Sequence, residues 1–562
     1  MQNIQRSGKI SRMKMRSTAA AVLFAAVFVG IVAHGNQISA AAWRSVQVQP
    51  TPRPRVVVTS APTLTPTPTP EAAAPKPTPN ATGPTLEELQ LKIRQKLFSP
   101  DVRRGRVGVK IVSLATGKVV FESDADKYFI PASNMKNFTI ATAIERLGPD
   151  FKFITDIIGE GPVDPAGTVK GNVRIYGRGD ISMSTSFDPA FPSATNYFRA
   201  LDMVADKLAA AGVKRIEGDL IGDESYFRGF AIPPTWEWDD LAAYYGASIS
   251  ALPMNDNVVD VSIRPGTKGG PCIVSILPST QLVKIINNCI TGSSDTVEIN
   301  RLIDQNVVEV NGVMTTNAKE KKVAIPFSHI ADLYIELLKQ RLAAKGIIVT
   351  GRAFSVSSPP AVCNGCTNAP TYLLGKVESP PLSYIAAKTM KSSQNMYTET
   401  ILWALGEESG RKSGGSGPSS ALGLAAVKKF LTEIGIPADA VLQYDGSGMS
   451  RHDQITPSSV ITLYTYMAKS RNAQVWRSSL AVGGADGTLR KRFAGTAAAG
   501  NFHGKTGTVD QVSALSGYLK TAGGEELAVS FIVNGVPDTQ KRISLIDSIV
   551  VDLANFAGKV DQ

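Results

Sequence analysis

Residues 131–136 read PASNMK, and from Asn134 to Leu147 the apolar residues recur at helical spacing. If the helix begins at Ser133, Lys136 lies about one turn further on and the two side chains share a face. A serine hydroxyl is a weak nucleophile that needs a base, and a lysine can be that base when burial or nearby cations lower its pKa. The helix N-terminus adds free N–H groups for a developing oxyanion. Taken alone, the pattern is more simply explained by an N-cap serine and a solvated lysine, because Ser-x-x-Lys is common by chance.

Two further polar motifs lie far downstream of this serine and lysine. Ser393-Gln394-Asn395 places a hydroxyl and an amide two residues apart, and both can reach a cleft from a loop or a distorted turn. The other motif is HGKTGT at residues 503–508, where two glycines allow close backbone approach. Its lysine and two hydroxyls can bind a substrate carboxylate from a strand edge. Each motif alone is more simply explained as a polar helix start or a solvated edge strand.

The lysine motif also looks like the end of a phosphate-binding loop. Such a loop needs a glycine five residues before Gly504, where this chain has Ala499, and it needs a helix directly afterwards. A strand is predicted here instead. The pattern therefore argues against nucleotide binding.

Hairpin patterns occur at both ends of the region that carries the motifs, and each is followed by a helical pattern. Between them lies a long middle, residues 153–376, that predicts short strands and turns. The predicted flanking elements are a hairpin of residues 107–114 and 118–121, a hairpin of residues 512–520 and 527–533, and a terminal helix of residues 542–556.

The net charge of +11 is concentrated outside the predicted folded region. Residues 1–16 carry five basic side chains and no acid, and residues 41–85 carry four basic side chains against Glu71. The remaining chain is nearly neutral, so a basic groove for phosphates is not expected and a nucleic-acid partner is excluded.

The first 42 residues predict an export signal, with a basic start, an apolar run from Ala19 to Ala33 and small residues at 39–42. An uncleaved signal anchor is the alternative, and only then would the protein contact the membrane. Either way, the rest of the chain is expected in the periplasm or cell envelope. Residues 43–85 are rich in Pro and Thr and predict a disordered linker or an extended polyproline spacer.

Four cysteines are present in this predicted exported chain, which favours disulfides. We expect the pairs Cys272–Cys289 and Cys363–Cys366. A zinc site is disfavoured because the first pair is too widely spaced for a zinc ribbon. A redox CxxC is disfavoured because Cys363 lies in a loop-like stretch and not at the start of a helix.

Together, the three motifs are far more specific than each alone. They occur in the order Ser-x-x-Lys, Ser-x-Asn, Lys-Thr-Gly, a set typical of serine β-lactamases and penicillin-binding proteins. From about Leu86 to Ala557 the chain resembles the class C penicillin-binding proteins, the D-alanyl-D-alanine carboxypeptidase/endopeptidase family. One departure is Gln394, where that motif has Asp. Three further stretches carry the resemblance: WEWDD at 236–240 with YGA at 245–247, DGSG at 445–448 with SR at 450–451, and DGTL at 486–489.

The resemblance implies an α+β fold, a serine β-lactamase/penicillin-binding-protein-like domain whose antiparallel sheet is flanked by helices, with inserted smaller β-rich domains. The expected division is residues 1–42 signal peptide or anchor, 43–85 linker, 86–152 first part of the catalytic domain, 153–376 inserted domains, and 377–562 second part of the catalytic domain.

The resemblance also implies a role for each motif residue. Ser133 would attack the carbonyl of a terminal D-Ala-D-Ala bond, and Lys136 would take its proton. Ser393 would relay a proton towards the leaving amine, and Asn395 would hold the substrate amide. Backbone N–H groups of Ser133 and Thr508 would form the oxyanion hole. The expected substrate-binding residues are Lys505, Thr506, Gly507 and Thr508, with the two threonines on the terminal carboxylate.

The implied function is an exported serine D,D-peptidase that forms an acyl-enzyme with peptidoglycan stem peptides. Terminal D-Ala release (carboxypeptidase) and cross-link cleavage (endopeptidase) use the same site and remain open. β-Lactams are expected as inhibitors, and no metal or organic cofactor is implied. The alternatives are a β-lactamase or esterase on the same scaffold and a non-catalytic, penicillin-sensing wall-binding protein.

Overall fold

The computed structural model describes residues 84–189, 197–303, 305–358 and 370–560. The predicted signal segment, the Pro/Thr-rich linker and the Cys363–Cys366 pair lie outside these residues. Within them, no helix has the length and apolar character needed to cross a membrane. The α-helices are α1 Leu86–Leu97, α2 Lys136–Leu147, α3 Arg199–Ala210, α4 Ile330–Ala344, α5 Leu382–Ser392, α6 Asn395–Leu405, α7 Ser419–Glu433, α8 Pro457–Lys469, α9 Ala473–Ser479 and α10 Thr539–Asn555.

The strands form several separate sheets. They are β1 Arg106–Ser113, β2 Val119–Ser123, β3 Ile154–Gly159, β4 Thr168–Val169, β5 Val173–Tyr176, β6 Arg215–Ile216, β7 Leu220–Asp223, β8 Val258–Arg264, β9 Ile273–Leu277, β10 Lys284–Gly292, β11 Glu298–Arg301, β12 Val307–Thr315, β13 Lys321–Pro326, β14 Ile348–Val349, β15 Ala353–Val356, β16 Tyr372–Glu378, β17 Val441–Leu442, β18 Gln454–Ile455, β19 Ala481–Val482, β20 His503–Val509, β21 Val512–Lys520 and β22 Glu526–Asn534.

The largest sheet joins the two ends of the described chain. Its order is β19-β20-β21-β22-β1-β2, and every neighbouring pair is antiparallel. Strand β1 pairs with β22 from Arg106 opposite Asn534 to Ser113 opposite Leu527. The two predicted hairpins are therefore confirmed, and the second hairpin supplies the neighbour of the first.

Both faces of this sheet are buried. Along β22, Val529 and Phe531 enter one apolar cluster, which they share with α1 and α10, while Ala528 and Ile532 enter the cluster on the opposite face. This alternation follows from the two-residue period of a strand. The C-terminal helix begins three residues earlier than predicted, because Asp538 caps it by accepting a hydrogen bond from the N–H of Lys541.

Helix α2 lies in the middle of the second cluster. Its residues from Lys136 to Ile144 are all buried, as expected for a helix that is covered on every side. It contacts the helices α5, α6 and α7 and packs near the sheet. The sequence predicted helical periodicity from Asn134 to Leu147; in the structure a short 3₁₀ turn, Ala132–Met135, leads into α2, which begins at Lys136.

Four of the other sheets lie between β2 and α5 in the chain, and a two-stranded sheet of β17 and β18 lies between α7 and α8. A five-stranded sheet has the order β15-β7-β5-β3-β16, and three small sheets have the orders β10-β12-β11, β13-β8-β9 and β14-β6-β4. The expectation of short strands and turns in this middle is incomplete, because it also contains α3 and α4. Both helices bury an apolar face in the cluster formed by this part of the chain, which sequence periodicity over so many short strands did not reveal.

The predicted disulfide Cys272–Cys289 is confirmed, with the Cα atoms 5.3 Å apart. Cys272 precedes β9 and Cys289 lies in β10, and the N–H of Cys272 donates to the carbonyl of Cys289. Both residues are buried in the cluster of the middle region. The cross-link therefore joins two segments that also share a backbone hydrogen bond.

Replacing Cys272 and Cys289 together by alanine removes a cross-link between residues 17 apart in sequence. We expect the free energy of unfolding to fall by about 3 kcal/mol, because the unfolded chain regains the freedom of a closed loop. Urea unfolding followed by far-ultraviolet circular dichroism should show a lower midpoint than the wild-type protein. An unchanged midpoint would contradict a stabilising role.

Candidate active site

The structure brings the predicted nucleophile and base together. Ser133 lies in the 3₁₀ turn before α2, and Lys136 is the first residue of that helix. The Nζ atom of Lys136 lies 3.0 Å from the Oγ atom of Ser133. Ser133 is partly exposed, whereas Lys136 is completely buried. This geometry allows a proton to pass between the hydroxyl and the amine.

Two further acceptors hold the amine of Lys136. Its Nζ donates to the Oδ1 atom of Asn395 at 2.6 Å and to the carbonyl of Ser447 at 2.7 Å. Burial lowers the pKa of Lys136 to about 7, against the opposing effect of the buried carboxylates Asp445 and Glu399. A lysine with such a pKa is largely neutral slightly above pH 7, so it can act as a base.

The second motif forms a sharp turn between two helices. Ser393 ends α5 in the left-handed conformation, with φ of 60°, and α6 begins at Asn395. This backbone conformation is unfavourable for serine and is typical of residues held in place by their surroundings. It directs the hydroxyl of Ser393 to the Nζ of Lys505, 2.7 Å away. The distorted turn that the sequence allowed is present, and it places the second motif beside the lysine of the third.

The third motif lies on β20, beside the serine turn. A Cβ atom added at Gly507 would stand 2.6 Å from the carbonyl oxygen of Pro131 and 3.1 Å from the backbone nitrogen of Ser133. Only glycine permits this approach of strand to turn. The hydroxyls of Thr506 and Thr488 lie 2.8 Å apart, whereas Thr508 is exposed. Lys505, Thr506, Gly507 and Thr508 thus form the strand edge next to Ser133.

Two buried lysines face the same site. Lys505 is completely buried, and its Nζ also donates to the carbonyl of Thr506 at 2.8 Å. Burial, and then repulsion by Lys136, holds the pKa of Lys505 well below its usual range. A negatively charged substrate group would relieve this repulsion, so the site is electrostatically suited to a carboxylate.

Three buried carboxyl groups behind Lys136 were not singled out from the sequence as parts of the site. They are Glu399 on α6, and Asp445 and Asp453 in the stretch between β17 and β18. Burial and the charge of Asp445 raise the pKa of Glu399 to about 8 and that of Asp453 well above its ordinary value. Their positions depend on tertiary contacts that sequence spacing does not specify.

Residues 445–450 form a tight turn that packs on the nucleophile. We call it the DGSG turn. Gly448 has φ of 82°, and a Cβ atom added there would lie 1.9 Å from the carbonyl oxygen of Ala132. The N–H of Gly446 donates to both carboxylate oxygens of Glu399, at 2.9 and 3.0 Å. The sequence did not show that the carbonyl of Ser447 in this turn contacts Lys136.

Asp486 has a structural role beside the site. Its side chain pairs with Lys391, one residue before the end of α5, at 2.5 Å and accepts from the N–H of Val482 at 2.8 Å. The ion pair connects the C-terminal end of α5, which precedes Ser393, with the loop that carries Thr488. Within the described ranges, no group of three or more His, Cys, Asp or Glu side chains could hold a metal ion.

A central helix that begins with a serine–lysine pair, lies against an antiparallel sheet and faces a Lys-Thr-Gly strand defines the class of serine β-lactamases and penicillin-binding proteins. Among solved structures, penicillin binding protein 4 (dacB) from Haemophilus influenzae has a similar fold. The TM-score is 0.70 at 21% identity, and the match covers 83% of this chain and 99% of the other.

Sequence comparison gives the family. The family model described as "D-Ala-D-Ala carboxypeptidase 3 (S13) family" matches residues 89–555. A D-alanyl-D-alanine carboxypeptidase of Actinomadura sp. (strain R39) is 32% identical over 493 residues, which are 85% of this chain and 87% of the relative. D-alanyl-D-alanine carboxypeptidase DacB of Haemophilus influenzae is 23% identical, over 76% of this chain and 85% of the relative.

The chain belongs to the D-Ala-D-Ala carboxypeptidase 3 (S13) family. The family, the fold class and the enzyme class predicted from the sequence, a serine-type D-Ala-D-Ala carboxypeptidase, are thereby confirmed. The predicted roles of the individual site residues and the predicted domain boundaries stay predictions.

Gly448→Ala tests the contact between the DGSG turn and the nucleophile. The added methyl group would collide with the Ala132 carbonyl, so the turn must shift and carry the Ser447 carbonyl away from Lys136. We expect D-alanine release from a D-Ala-D-Ala peptide to fall by about 100-fold, because misplacing a reacting group by about 1 Å has this effect.

The matched control is Gly435→Ala. Gly435 also has a positive φ, 88°, but a Cβ atom there meets nothing within 4 Å. It should cost about 1–2 kcal/mol of stability and leave the rate nearly unchanged. Equal rates in the two variants would show that the contact with Ala132 does not matter for the reaction.

Proposed function

We propose that Ser133 is the nucleophile of this serine D,D-peptidase and that Lys136 is its general base. The observation that carries the proposal is the 3.0 Å distance between the Lys136 amine and the Ser133 hydroxyl, combined with the lowered pKa of that amine. Lys136 takes the hydroxyl proton as Oγ attacks the carbonyl carbon of a terminal D-Ala-D-Ala bond.

The developing oxyanion needs donors beside Ser133. We assign the backbone N–H groups of Ser133 and Thr508 to this task. The close approach of Gly507 to the backbone nitrogen of Ser133 supports the assignment, because it brings β20 against the start of the helix. Such N–H groups are fixed by the fold and need no reorganisation when charge develops.

Proton delivery to the leaving amine falls to Ser393. Its hydroxyl accepts a hydrogen bond from Lys505, so it can give its own proton to the amine nitrogen as the peptide C–N bond breaks, while a proton passes to it from Lys505 along that hydrogen bond. Overall, the proton that Lys136 took from Ser133 replaces the one given to the amine. The exposed hydroxyl of Thr508, the hydroxyl of Thr506 and the charge of Lys505 are then available for the terminal carboxylate of the substrate. Release of D-alanine leaves Ser133 acylated, and water hydrolyses the ester.

Asn395 serves on both sides of the site. Its Oδ1 holds the amine of Lys136, and one hydrogen of Nδ2 is used by the carbonyl of Tyr245 at 3.1 Å. The amide nitrogen carries a second hydrogen, which we assign to the substrate amide carbonyl. Asn395 would thus bind the substrate, as the sequence predicts, and also accept a hydrogen bond from the general base Lys136.

β-Lactams are expected to enter the same chemistry. Their strained amide carbonyl takes the place of the peptide carbonyl, so Ser133 becomes acylated and blocked. The same site accepts an endopeptidase substrate when the leaving amine belongs to a peptide cross-link. The D-Ala-D-Ala peptide and the peptide cross-link are both parts of peptidoglycan. We therefore propose that this is an exported protein of the cell envelope.

We also propose that the catalytic domain is split along the chain, with residues 153–376 inserted between its two parts. The pairing of β1 with β22 supports this division, because the central sheet takes all six strands from residues 106–123 and 481–534. The middle residues have their own sheets and their own apolar cluster.

Ser133→Ala should abolish acylation. Incubated with benzylpenicillin, the wild-type protein should gain the mass of one intact penicillin by mass spectrometry, and the variant should gain none. A D-alanine release assay then separates a peptidase from a penicillin-sensing protein. Rapid hydrolysis of penicillin without D-alanine release would favour a β-lactamase, and an adduct on the variant would remove Ser133 from its role.

The rate of acylation by benzylpenicillin should rise with pH through about 7 and then level off. The neutral amine of Lys136 is the active form, and its pKa is about 7, so the protonated and inactive form predominates below that pH. The second-order acylation rate constant, followed by intact mass between pH 5 and 9, checks this. A rate that still rises steeply at pH 9 would indicate a base with an ordinary lysine pKa.

A further inference from the structure

The two groups that hold the amine of Lys136, besides Ser133, are themselves held by one segment of the middle region. This segment, residues 233–246, will be called the clamp segment. It runs past the catalytic helices and contacts the site at two separate points. Neither contact involves the nucleophile itself, so the segment acts on the base side of the site.

The first contact is with Asn395. The Nδ2 atom of Asn395 donates to the carbonyl oxygen of Tyr245 in the clamp segment at 3.1 Å. The other end of the same amide, Oδ1, accepts from Lys136 at 2.6 Å. The Tyr245 carbonyl therefore fixes which way the Asn395 amide faces, and with it the acceptor for the base.

The second contact is with the DGSG turn. The indole Nε1 of Trp236 donates to Oδ2 of Asp445 at 2.8 Å, and that same oxygen accepts from the N–H of Ser450 at 2.8 Å. The Oδ1 atom of Asp445 accepts from the N–H groups of Ser447 and Gly448, at 3.1 and 2.6 Å. The Asp445 carboxylate thus accepts hydrogen bonds from several N–H groups of the turn, and the turn so fixed places the Ser447 carbonyl beside Lys136.

Trp236 is well placed to hold this carboxylate. The residue is only 7% exposed, and its N–H group reaches into the centre of the turn from outside it. A charge-assisted hydrogen bond of this kind is stronger than one between neutral groups. Apart from Trp236, the side chain of Asp445 hydrogen-bonds backbone N–H groups of its own turn and the side chain of Asp453.

We propose that Trp236 is a positioning residue for Lys136, acting through Asp445 and the Ser447 carbonyl. The proposal rests on the proposed function, in which Lys136 is the base. In this arrangement the clamp segment of the middle region helps to position the general base of the catalytic site.

The ionisation of Lys136 depends on all the charged groups that face it. These are Asp445 and Asp453 from the DGSG turn and its continuation, Glu399 from α6, and Lys505 from β20. The carbonyl of Ser447 favours the ammonium form, because it accepts a hydrogen bond from it. If the turn loosens, this hydrogen bond weakens and the pKa of Lys136 should fall further. The amine should also be less well aligned with the hydroxyl of Ser133.

Trp236→Phe is the test, because it keeps an aromatic ring and removes only the N–H donor with part of the ring volume. We expect the plateau of the benzylpenicillin acylation rate to fall about tenfold through misalignment of the base. We also expect the acid limb of the pH profile to move to lower pH by about half a unit. A merely structural role would lower stability and leave this limb in place.

Trp403→Phe is the matched control. Trp403 is also buried and packs edge-on against Phe227, with ring centroids 5.5 Å apart, but its indole nitrogen has no hydrogen-bond partner within the described part of the chain. Its variant loses the same ring volume and no hydrogen bond. If the two variants give the same acylation profile, the proposal is overturned.

Thermal unfolding of both variants shows whether they are folded at the assay temperature. Should Trp236→Phe not fold, Trp236→Met carries the test, since its flexible apolar side chain fills the space and also lacks the N–H donor. Its acid limb should also move to lower pH, and an unmoved limb overturns the proposal. The proposed function is judged separately by the Ser133→Ala adduct: its failure removes the nucleophile, whereas failure here leaves the nucleophile and removes only the clamp.

Discussion

Burying the amine of Lys136 is the constraint on which the rest of the site depends. A fully buried amine must find acceptors for its hydrogens, and it has three within 3.0 Å: Ser133, Asn395 and the Ser447 carbonyl. Desolvation alone would favour the neutral form strongly. The buried carboxylates behind it oppose that effect, and the balance leaves the pKa of Lys136 at about 7.

The large sheet makes this burial possible. Strands from both ends of the described chain pair side by side, and α2 is enclosed between the sheet and the helices α5, α6 and α7. The edge of β20 then approaches the serine turn closely enough that only glycine fits at position 507. Packing density, rather than a flexible loop, therefore sets the distance between the strand and the nucleophile.

The middle of the chain is part of this arrangement. Through Tyr245 and Trp236, the clamp segment contacts both Asn395 and Asp445. A segment more than 140 residues away in sequence from either group thus restrains the surroundings of the base. Catalytic residues are positioned well when their supporting groups are themselves hydrogen-bonded, and here the support comes from a separate sheet-rich region.

The sequence by itself determined the two hairpins, the family and the three motifs, because strand alternation and motif spacing are local properties of the chain. It also indicated the serine–lysine pair, since residues one helical turn apart share a face. Only the tertiary structure decided that Glu399, Asp445 and Trp236 surround the base, and that α3 and α4 complete the middle region. Such contacts depend on which distant segments pack against each other in the folded protein. The spacing of residues along the chain does not specify this packing.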